Sequence, residues 1–309
     1  MEIRQLEALV SIADHGTFSS AAAVLGTVQS NISNRIARLE DELGTELVNR
    51  STGFLTESGD IVVDRARRIL GELSAIASDV SELDAHIRGE VVLGMIGTAG
   101  RWIVPLLINA LRVNYPQIAL RIIEGSNSVL EPQLVQGRLD LAVLAWPIEA
   151  QELANIDLFY EDLVVIVDRN HPIAQLTEPV TFTELSKYEM LLPLRGTPIR
   201  REIDDASRAV GIELVPLIEL DGLRTIASLT FDGHGPSILP ATMLSTHLRD
   251  KFVGVPIENI AQRRVVLASR RFGFPAAPVR AIQSLLLNVV KNAENVPESV
   301  DLPDSITQP

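Results

Sequence analysis

Hydrophobic residues in the first 60 positions recur at helical spacing, and glycines divide them into three predicted helices. These helices span residues 3–15, 19–25 and about 29–43, and a glycine follows each of them, as is common where a helix ends. The second helix contains three consecutive alanines, which allow two helix axes to approach closely. A short helix, a tight turn at Gly26 and a further helix form the helix-turn-helix pattern.

The third predicted helix separates apolar and polar residues onto two faces. Its apolar residues recur at steps of four, three and four and predict one buried stripe: Ile32, Ile36, Leu39 and Leu43. The residues off this stripe are uncharged or basic: Gln29, Ser30, Ser33, Asn34, Arg35 and Arg38. Amides can pair with the adenine edge and arginine with guanine or phosphate, so this face is predicted to read a DNA groove. The alternative is a polar face that is merely solvated.

Charge is distributed so that this face can meet DNA although the whole chain has a formal net charge of −13. Residues 15–39 contain no Asp or Glu, whereas residues 40–42 are all acidic. Those acids oppose the helix dipole, so solvent or a partner arginine must compensate them. The free amides at the N-terminal end of the helix remain attractive to phosphate.

The segment from Glu46 to Gly59 predicts a small β-hairpin, or wing, that turns at residues 51–53. This turn places Arg50 and Thr52 near a second stretch of DNA backbone. Two residues at the start of the second helix complete the predicted set of DNA contacts: Thr17 and Ser19.

Residues 60–88 carry the clearest periodic pattern in the chain. Apolar residues alternate steps of four and three, which is the a and d pattern of a heptad repeat: Val62, Ala66, Ile69, Leu73, Ile76, Val80, Leu83 and Ile87. The stripe extends about 39 Å at 1.5 Å per residue, which is too long for one small domain to cover. We predict that two chains pair through its later positions: Ile69, Leu73, Ile76, Val80, Leu83 and Ile87. The alternative is packing within the same chain.

From Glu90 onward, strand-like and helical segments alternate in a βαβαβ order, which predicts a parallel sheet with helices on its faces. A second similar set follows, so the region is predicted to form a ligand-binding α/β domain of two lobes with a cleft between them. The predicted divisions are a DNA-binding domain at 1–59, a linker helix at 60–89, lobe I at about 90–161 and 266–292, lobe II at about 162–265, and a disordered tail at 293–309.

Composition excludes several classes of function. The chain has no cysteine, which excludes disulfides, thiolate nucleophiles and thiol redox sensing. Its five histidines are scattered without ligand spacing, so neither a metal site nor a cofactor is predicted. No apolar run approaches the roughly 18 residues of a membrane helix, and residues 1–25 do not resemble a secretory leader. We therefore expect a cytoplasmic protein with no membrane partner.

A short loop of small residues, Gly-Thr-Ala-Gly at 97–100, opens the first helix of the α/β region. Small residues and a hydroxyl at a helix N-terminus suit an anion, although the same turn is also an ordinary helix start. We hypothesise a small anionic ligand such as a carboxylate, held by Thr98, Ala99, Gly100, Arg101 and Arg200. Trp146, at a strand end, either stacks on this ligand or packs against the protein.

The residues from Leu6 to Gly59 resemble the LysR-type transcriptional regulators. They carry, in order, a leading Leu, a Gly-Thr-Phe turn, paired Ala, Gln-Ser, Ser, Leu-Glu, Leu-Gly, Leu-x-x-Arg and Thr-x-x-Gly. The resemblance continues in GEVVLGMIGTAGRWIVPLL, NYPQIALRIIEGSN, LVQGRLDLAVL and DGHGPSILP, and so covers nearly the whole chain.

The resemblance implies a mixed fold: an all-α winged helix-turn-helix domain, a long coiled-coil linker helix that dimerises, and a periplasmic-binding-protein-like effector domain of two lobes. Such chains are commonly assembled into dimers or tetramers. The implied DNA contacts are Gln29, Ser30, Ser33, Asn34 and Arg50. The implied effector pocket lies between the lobes and is lined by Thr98, Ala99, Ser126, Asn127, Trp146, Thr197 and Ile199.

Three residues depart from the family pattern. Val28 stands where the family usually has Ser or Thr, so a side-chain cap is missing there unless Thr27 supplies it. Asn34 replaces the usual Arg, and Arg35 follows one position later, about 100° around the helix. Val48 replaces the usual Phe at the base of the wing.

Together these observations predict a DNA-binding transcription regulator that is not an enzyme. Its predicted partners are double-stranded promoter DNA, a small-molecule effector and further copies of itself. The alternative is a cytoplasmic α/β enzyme or ligand-binding protein with a fused helical module. Against an enzyme, the sequence has no GxGxxG after the first strand, no GxxxxGK[ST] and no GxSxG.

Overall fold

The computed structural model describes residues 1–82, 87–271, 273 and 275–303, without the side chains of residues 74, 75 and 77–82. Three helices open the chain: α1 (Ile3–His15), α2 (Phe18–Val24) and α3 (Gln29–Leu43). Gly16 and Gly44 end α1 and α3 with φ of 76° and 69°, a left-handed conformation that glycine adopts without strain. The predicted helix-turn-helix is therefore present, with boundaries within one residue of those expected.

The three helices share one core with the start of the next helix. Ile32, Ile36 and Leu39 of α3 are fully buried in it, as the stripe predicts. Leu43 was expected to continue the stripe but is 38% exposed. The helix ends at the following glycine, so Leu43 lies beyond the residues that cover the core.

The wing is a tight hairpin joined by one β-bridge between Val48 and Leu55. Asn49 organises its turn, because its side-chain oxygen accepts hydrogen bonds from the amides of Ser51 and Thr52. Val48 is fully buried and fills the base of the wing. The wing has the predicted position, and its tip exposes Phe54.

A long helix, α4 (Glu57–Glu82), follows the wing directly. The Thr56 hydroxyl accepts from the Gly59 amide and donates to the Glu46 carbonyl, which caps the helix and fastens it to the wing. A methyl group at Gly59 would lie 2.0 Å from the Leu47 carbonyl oxygen, so only glycine allows this approach. These contacts give the Thr-x-x-Gly motif a physical reason. Further along, α4 packs on α1 and on the last helix of the α/β region.

Lobe I begins with β1 (Gly89–Met95), α5 (Gly97–Asn114), β2 (Ile118–Glu124), α6 (Asn127–Val135), β3 (Leu141–Ala145) and β4 (Leu153–Glu161). The pairs β1·β2 and β1·β3 are parallel, which confirms the predicted βαβαβ unit. Residues 97–100 form the first turn of α5 and are not a loop that precedes it.

Lobe II contains β5 (Leu163–Asp168), α7 (Phe182–Leu185), β6 (Met190–Pro193), α8 (Pro198–Ala209), β7 (Pro216–Leu220), α9 (Leu223–Phe231), β8 (Ser237–Pro240) and β9 (Phe252–Pro256). Its five strands have the order β7-β6-β8-β5-β9. The Thr181 hydroxyl accepts from the Glu184 amide and so caps the start of α7.

The chain returns to lobe I through β10 (Arg263–Arg270), followed by α10 (Ala277–Lys291) and β11 (Val300–Asp301). The six-stranded sheet of lobe I has the order β11-β4-β10-β3-β1-β2. β10 starts three residues before the return to lobe I expected at 266, because Arg263–Val265 already pair with β4. None of the described helices is long and apolar enough to cross a membrane.

The predicted disordered tail requires correction over residues 293–303. Val300 and Asp301 pair with Glu161 and Tyr160 of β4, and Val300 is buried against lobe I. Residues 293–303 contain two prolines and three acids, a composition that favours disorder, and pairing with the edge of a distant strand holds the segment in place instead. Residues 304–309 lie outside the described part of the chain.

Candidate DNA-binding and effector sites

The polar face of α3 is available for DNA. Gln29, Ser30, Asn34 and Arg38 are exposed, and Ser33 and Arg35 are partly exposed. Among the described residues, no carboxylate forms an ion pair with either Arg35 or Arg38. Both guanidinium groups are therefore free to meet phosphate or a base edge.

The N-terminal end of α3 is joined to α2 by side chains. The Ser19 hydroxyl donates to the Gln29 amide oxygen over 3.1 Å, and the Thr17 hydroxyl caps α2 by accepting from the Ser20 amide. Val28 is the N-cap residue and gives no side-chain cap, as its departure from the family pattern predicts. Thr27 does not replace it, because its hydroxyl accepts a hydrogen bond from the Asn31 side chain instead.

Glu40 connects the far end of α3 to the wing. This carboxylate is 9% exposed, and one of its oxygens accepts from the amides of Leu47 and Val48 over 2.9 and 3.2 Å. Its other oxygen accepts from Arg50. Glu40 lies near the C-terminal end of α3, where the helix dipole disfavours negative charge, and the Arg50 side chain compensates it while remaining 54% exposed. Thr52 lies exposed at the wing tip.

The predicted dimerisation seam on α4 divides into two parts. Val62 and Ala66 pack into the core of the N-terminal domain, whereas Ile69, Leu73 and Ile76 are 45%, 38% and 60% exposed. Three consecutive seam positions are therefore apolar and uncovered within one chain. The expectation for Ile87 is corrected, since it lies just before β1 and packs on the core of lobe I. The side chains of Val80 and Leu83 lie outside the described residues.

The first turn of α5 lies at the carboxyl end of β1 and is largely buried. Thr98 and Ala99 are 4% and 0% exposed, and Gly100 is also buried. The Thr98 hydroxyl is buried and has no hydrogen-bond partner among the described residues. The N-cap, Ile96, has no side chain that could cap the helix, so the first amides of α5 depend on other partners.

Arg101, in the next position, faces lobe II. Its Nε donates to the Ser245 hydroxyl, and its guanidinium group lies 5.5 Å from the centre of the Phe231 ring. Burial, and then the nearby charge of Arg224, lower the pKa of the Arg101 side chain. An ion pair also spans the lobes here, because Arg224 of α9 contacts Glu124 at the end of β2 over 2.7 Å. Neither Arg224 nor Glu124 is among the residues predicted from the sequence, since no local pattern marks either of them.

The remaining candidates of lobe I lie at the ends of β2 and β3. The side chain of Asn127 donates to the Ala145 carbonyl and accepts from its amide, so it fastens α6 to β3. Ser126 is exposed beside it. Trp146 is 44% exposed and stacks under Arg264, whose guanidinium carbon lies 4.5 Å from the ring centre. Trp146 thus packs against the protein on one side and remains partly exposed to solvent, which is compatible with both predicted roles, ligand stacking and packing.

Two of the three lobe II candidates serve the fold of that lobe. Ile199 is 6% exposed in the lobe II core. Arg200 is 1% exposed and donates to Asp204, Glu219 and the Pro193 carbonyl. Burial lowers the pKa of Arg200, but the hydrogen bonds that it donates to the two carboxylates outweigh burial and raise the pKa overall. We correct the prediction for Ile199 and Arg200, because the Ile199 side chain lies in the core and the buried Arg200 guanidinium group is held by two carboxylates and a carbonyl of its own lobe. Thr197 caps α8 and is partly exposed.

The two chain crossings between the lobes meet at a buried carboxylate. Glu161, at the end of β4, is fully buried and accepts from Arg263 at the start of β10 over 2.8 Å. It also accepts from the hydroxyl and the amide of Thr242 in lobe II. Burial raises the pKa of Glu161, and Arg263 and Thr242 lower it only in part. This cluster joins the two crossings, which form the hinge between the lobes, to Thr242 of lobe II.

The lobes are packed closely together. A continuous apolar core reaches from lobe I to Val164, Leu239 and Met243 of lobe II. A cavity of about 10 Å³, close to the space that one water needs, is lined by Val164, Ala241, Leu244, Arg249, Gly254 and Glu298. It lies apart from the first turn of α5 and is too small for an organic effector.

Two family models match the chain. One, described as a bacterial regulatory helix-turn-helix protein of the lysR family, matches residues 3–60, and the other, the LysR substrate binding domain, matches residues 84–291. The DNA-binding transcriptional dual regulator OxyR of Escherichia coli K12 is 28% identical over 294 residues, which cover 94% of this chain and 95% of that protein. A probable hydrogen peroxide-inducible genes activator of Mycobacterium leprae is 28% identical over 299 residues, covering 95% and 96% of the two chains.

Solved structures have the same fold. Full-length OxyR of Pseudomonas aeruginosa, with a cysteine replaced by aspartate, has a TM-score of 0.77 and 23% identity, and covers 100% of this chain and 99% of that chain. Full-length CbnR in complex with its target DNA has a TM-score of 0.62 and 23% identity, and covers 94% and 99% of the two chains.

Proposed function

The chain belongs to the LysR family of transcriptional regulators, and we propose that it reads promoter DNA with α3 and the wing while a small carboxylate in the cleft modulates that binding. Members of this family bind promoter DNA, respond to an effector and form oligomers. The observation that carries the proposal is the face of α3, which is polar, exposed and free of acids in a chain of net charge −13. We also propose that the protein acts by binding and not by catalysis.

In the proposed DNA complex, α3 enters the major groove and the wing contacts the adjacent backbone. Gln29 and Asn34 offer amides for adenine, and Arg35 and Arg38 offer guanidinium groups for guanine or phosphate. Serine hydroxyls at residues 30 and 33 add contacts that either accept or donate. Supporting contacts come from Thr17, Ser19, Arg50 and Thr52.

Pairing of chains follows from the exposed part of the α4 seam. Ile69, Leu73 and Ile76 expose apolar surface at coiled-coil spacing, and burying it against a second copy is favourable. Two or four chains would present paired reading helices to a long promoter site. Movement of the lobes would then alter the spacing of the heads and the bend of the DNA.

The proposed effector differs from the one that the relatives' names suggest. Several relatives are described as hydrogen peroxide-inducible activators, and one solved relative is described as bound to hydrogen peroxide. The present chain has no cysteine, so it cannot form a disulfide or any other thiol oxidation product. The buried hydroxyl of Thr98, the first turn of α5 and the cation of Arg101 support a small carboxylate instead.

A gel-shift titration with the DNA upstream of the protein's own gene tests the proposal. We expect a complex that forms on this DNA much more tightly than on a shuffled sequence of equal length. Its affinity should fall steeply as salt is raised, since phosphate contacts release counterions. Equal affinity for the upstream DNA and the shuffled DNA would contradict the proposal that α3 recognises a specific base sequence.

A further inference from the structure

The ion pair between Glu124 and Arg224 is the second polar contact between the lobes near α5. Glu124 ends β2 in lobe I, Arg224 lies in the first turn of α9 in lobe II, and their charged atoms are 2.7 Å apart. The Glu124 and Arg224 side chains are 45% and 58% exposed. Exposed pairs of this kind contribute little to stability, so another anion can replace the carboxylate at small cost.

Glu124 also lies beside the N-terminal end of α5. A methyl group at Gly97, the first residue of that helix, would lie 2.3 Å from a carboxylate oxygen of Glu124, so the glycine allows the carboxylate to lie against the helix end. The first amides of a helix are unpaired within it and favour negative charge. Glu124 therefore lies where an anionic ligand of α5 would lie.

A second arginine, Arg101, lies near Arg224 and has no acidic partner among the described residues. Arg224 lies close to the first turn of α5, because a methyl group at Gly100 would be 3.8 Å from its Nη2. Arg101 is near enough for the charge of Arg224 to lower its pKa, and its own contacts are a hydroxyl and an aromatic ring. Among the described residues, Glu124 pairs with Arg224, and Arg101 forms no ion pair with a carboxylate.

A buried hydroxyl at the same helix end is an independent sign of a ligand. Thr98 is 4% exposed, and its Oγ1 has no hydrogen-bond partner among the described residues. A buried hydroxyl without a partner is destabilising, and a ligand oxygen in the first turn of α5 would satisfy it. The uncompensated cation and the unpaired hydroxyl both favour an acceptor with negative charge.

We propose that Glu124 is an internal substitute for the effector's carboxylate, and that the effector displaces it from Arg224 and from the N-terminal end of α5. Arg224, together with Arg101, then takes the recognition role that the sequence assigned to Arg200. Displacement breaks the Glu124–Arg224 contact between the lobes, so ligand binding is coupled to the position of lobe II. This inference rests on the proposed function, whose effector it specifies.

Acetate, the smallest organic carboxylate, is a suitable probe, and acetamide is its neutral control of similar shape. The apparent dissociation constant comes from thermal-shift titration of the full-length protein at constant ionic strength. Wild-type protein should be stabilised by acetate and not by acetamide. Glu124→Gln removes the competing charge and should bind acetate about threefold more tightly. Arg224→Gln should bind it at least tenfold more weakly.

Matched controls come from an exposed ion pair on α8. Asp205 and Arg208 are 72% and 66% exposed and lie 3.2 Å apart. Asp205→Asn and Arg208→Gln should leave acetate affinity unchanged. A misfolded variant cannot bind more tightly, so the gain expected for Glu124→Gln does not depend on how well Arg224→Gln folds.

Two outcomes contradict the inference: equal stabilisation by acetate and acetamide, or an acetate affinity that neither Glu124→Gln nor Arg224→Gln changes. In both cases selective binding to the upstream DNA would leave the proposed DNA-binding function intact. Loss of selective DNA binding in the wild-type protein would instead contradict the proposed function itself, whatever acetate does.

Discussion

Arg50 of the wing and Glu40 of the reading helix form an ion pair over 2.9 Å. The same carboxylate accepts two backbone hydrogen bonds from Leu47 and Val48, so one buried side chain fixes the path of the chain between helix and wing. The two parts of the DNA-binding surface are therefore held in a fixed relation before DNA arrives. Such preorganisation reduces the entropy lost on binding.

Replacing Glu40 with alanine should destabilise the N-terminal domain. Two buried amides and Arg50 lose their acceptor, and we expect the free energy of unfolding to fall by about 2 to 3 kcal/mol. Glu40→Gln keeps one acceptor oxygen and should lose less. Urea unfolding followed by far-UV circular dichroism measures the change. Asp41→Ala removes an adjacent exposed acid as a control, and equal midpoints for both alanine variants would show that Glu40 has no anchoring role.

The sequence predicts the DNA-binding region well because local signals determine it. Glycines fix where α1 and α3 end, and the apolar stripe fixes which face of α3 is buried. The role of Glu40 could not be read in the same way. Its partners lie seven, eight and ten residues away in a hairpin, and nothing in the helix itself indicates that it is the buried member of three consecutive acids.

Removing one guanidinium group from α3 should weaken DNA binding in a salt-dependent way. If Arg38 contacts phosphate, Arg38→Ala should reduce the slope of log affinity against log salt by about 0.9. Gel-shift titrations at several salt concentrations give this slope. Arg112→Ala is the matched control, since Arg112 is an exposed arginine near the end of α5 in lobe I. An equal slope for both variants would argue that Arg38 does not touch the backbone.

A charge placed on the exposed seam should separate the chains. Ile76 is 60% exposed within one chain, and an aspartate there would be buried without a partner in a paired α4. We expect Ile76→Asp to lower the sedimentation mass at micromolar concentration, with retained circular dichroism. Ile61→Asp tests an equally exposed isoleucine, at 62%, that lies off the seam and should leave the assembly unchanged. Identical sedimentation of Ile76→Asp and wild type would exclude pairing through this stripe.

In the α/β region only part of the sheet structure could be predicted from the sequence. The parallel unit β1–α5–β2–α6–β3 follows from alternating apolar runs, but β4, β9 and β11 were not predicted. β4 is only partly buried along much of its length, and β11 is two residues long, so neither has a local apolar pattern. β4 forms because it pairs antiparallel with β10, and β11 forms because it pairs antiparallel with β4; both partners are distant in sequence. The Glu124–Arg224 contact likewise joins residues that only the folded chain brings together.

The hinge carboxylate should make stability depend on pH in an unusual direction. Burial raises the pKa of Glu161 above its ordinary value of 4.5, so between the two values the folded chain binds a proton that the unfolded chain has lost. The free energy of unfolding should therefore fall as pH rises through this interval, by up to about 1.4 kcal/mol per pH unit. An ordinary paired carboxylate with a lowered pKa gives the opposite slope.

Glu161→Gln isolates this contribution, because glutamine cannot titrate and still offers an oxygen to Thr242 or Arg263. Urea unfolding of both proteins from pH 5 to pH 8 should show the stability of the wild type falling relative to the variant as pH rises. The raised pKa of Asp140 has causes that do not include Glu161, so its contribution is present in both proteins and cancels in the difference. A difference that stays constant with pH would mean that Glu161 does not change its protonation on unfolding in this range.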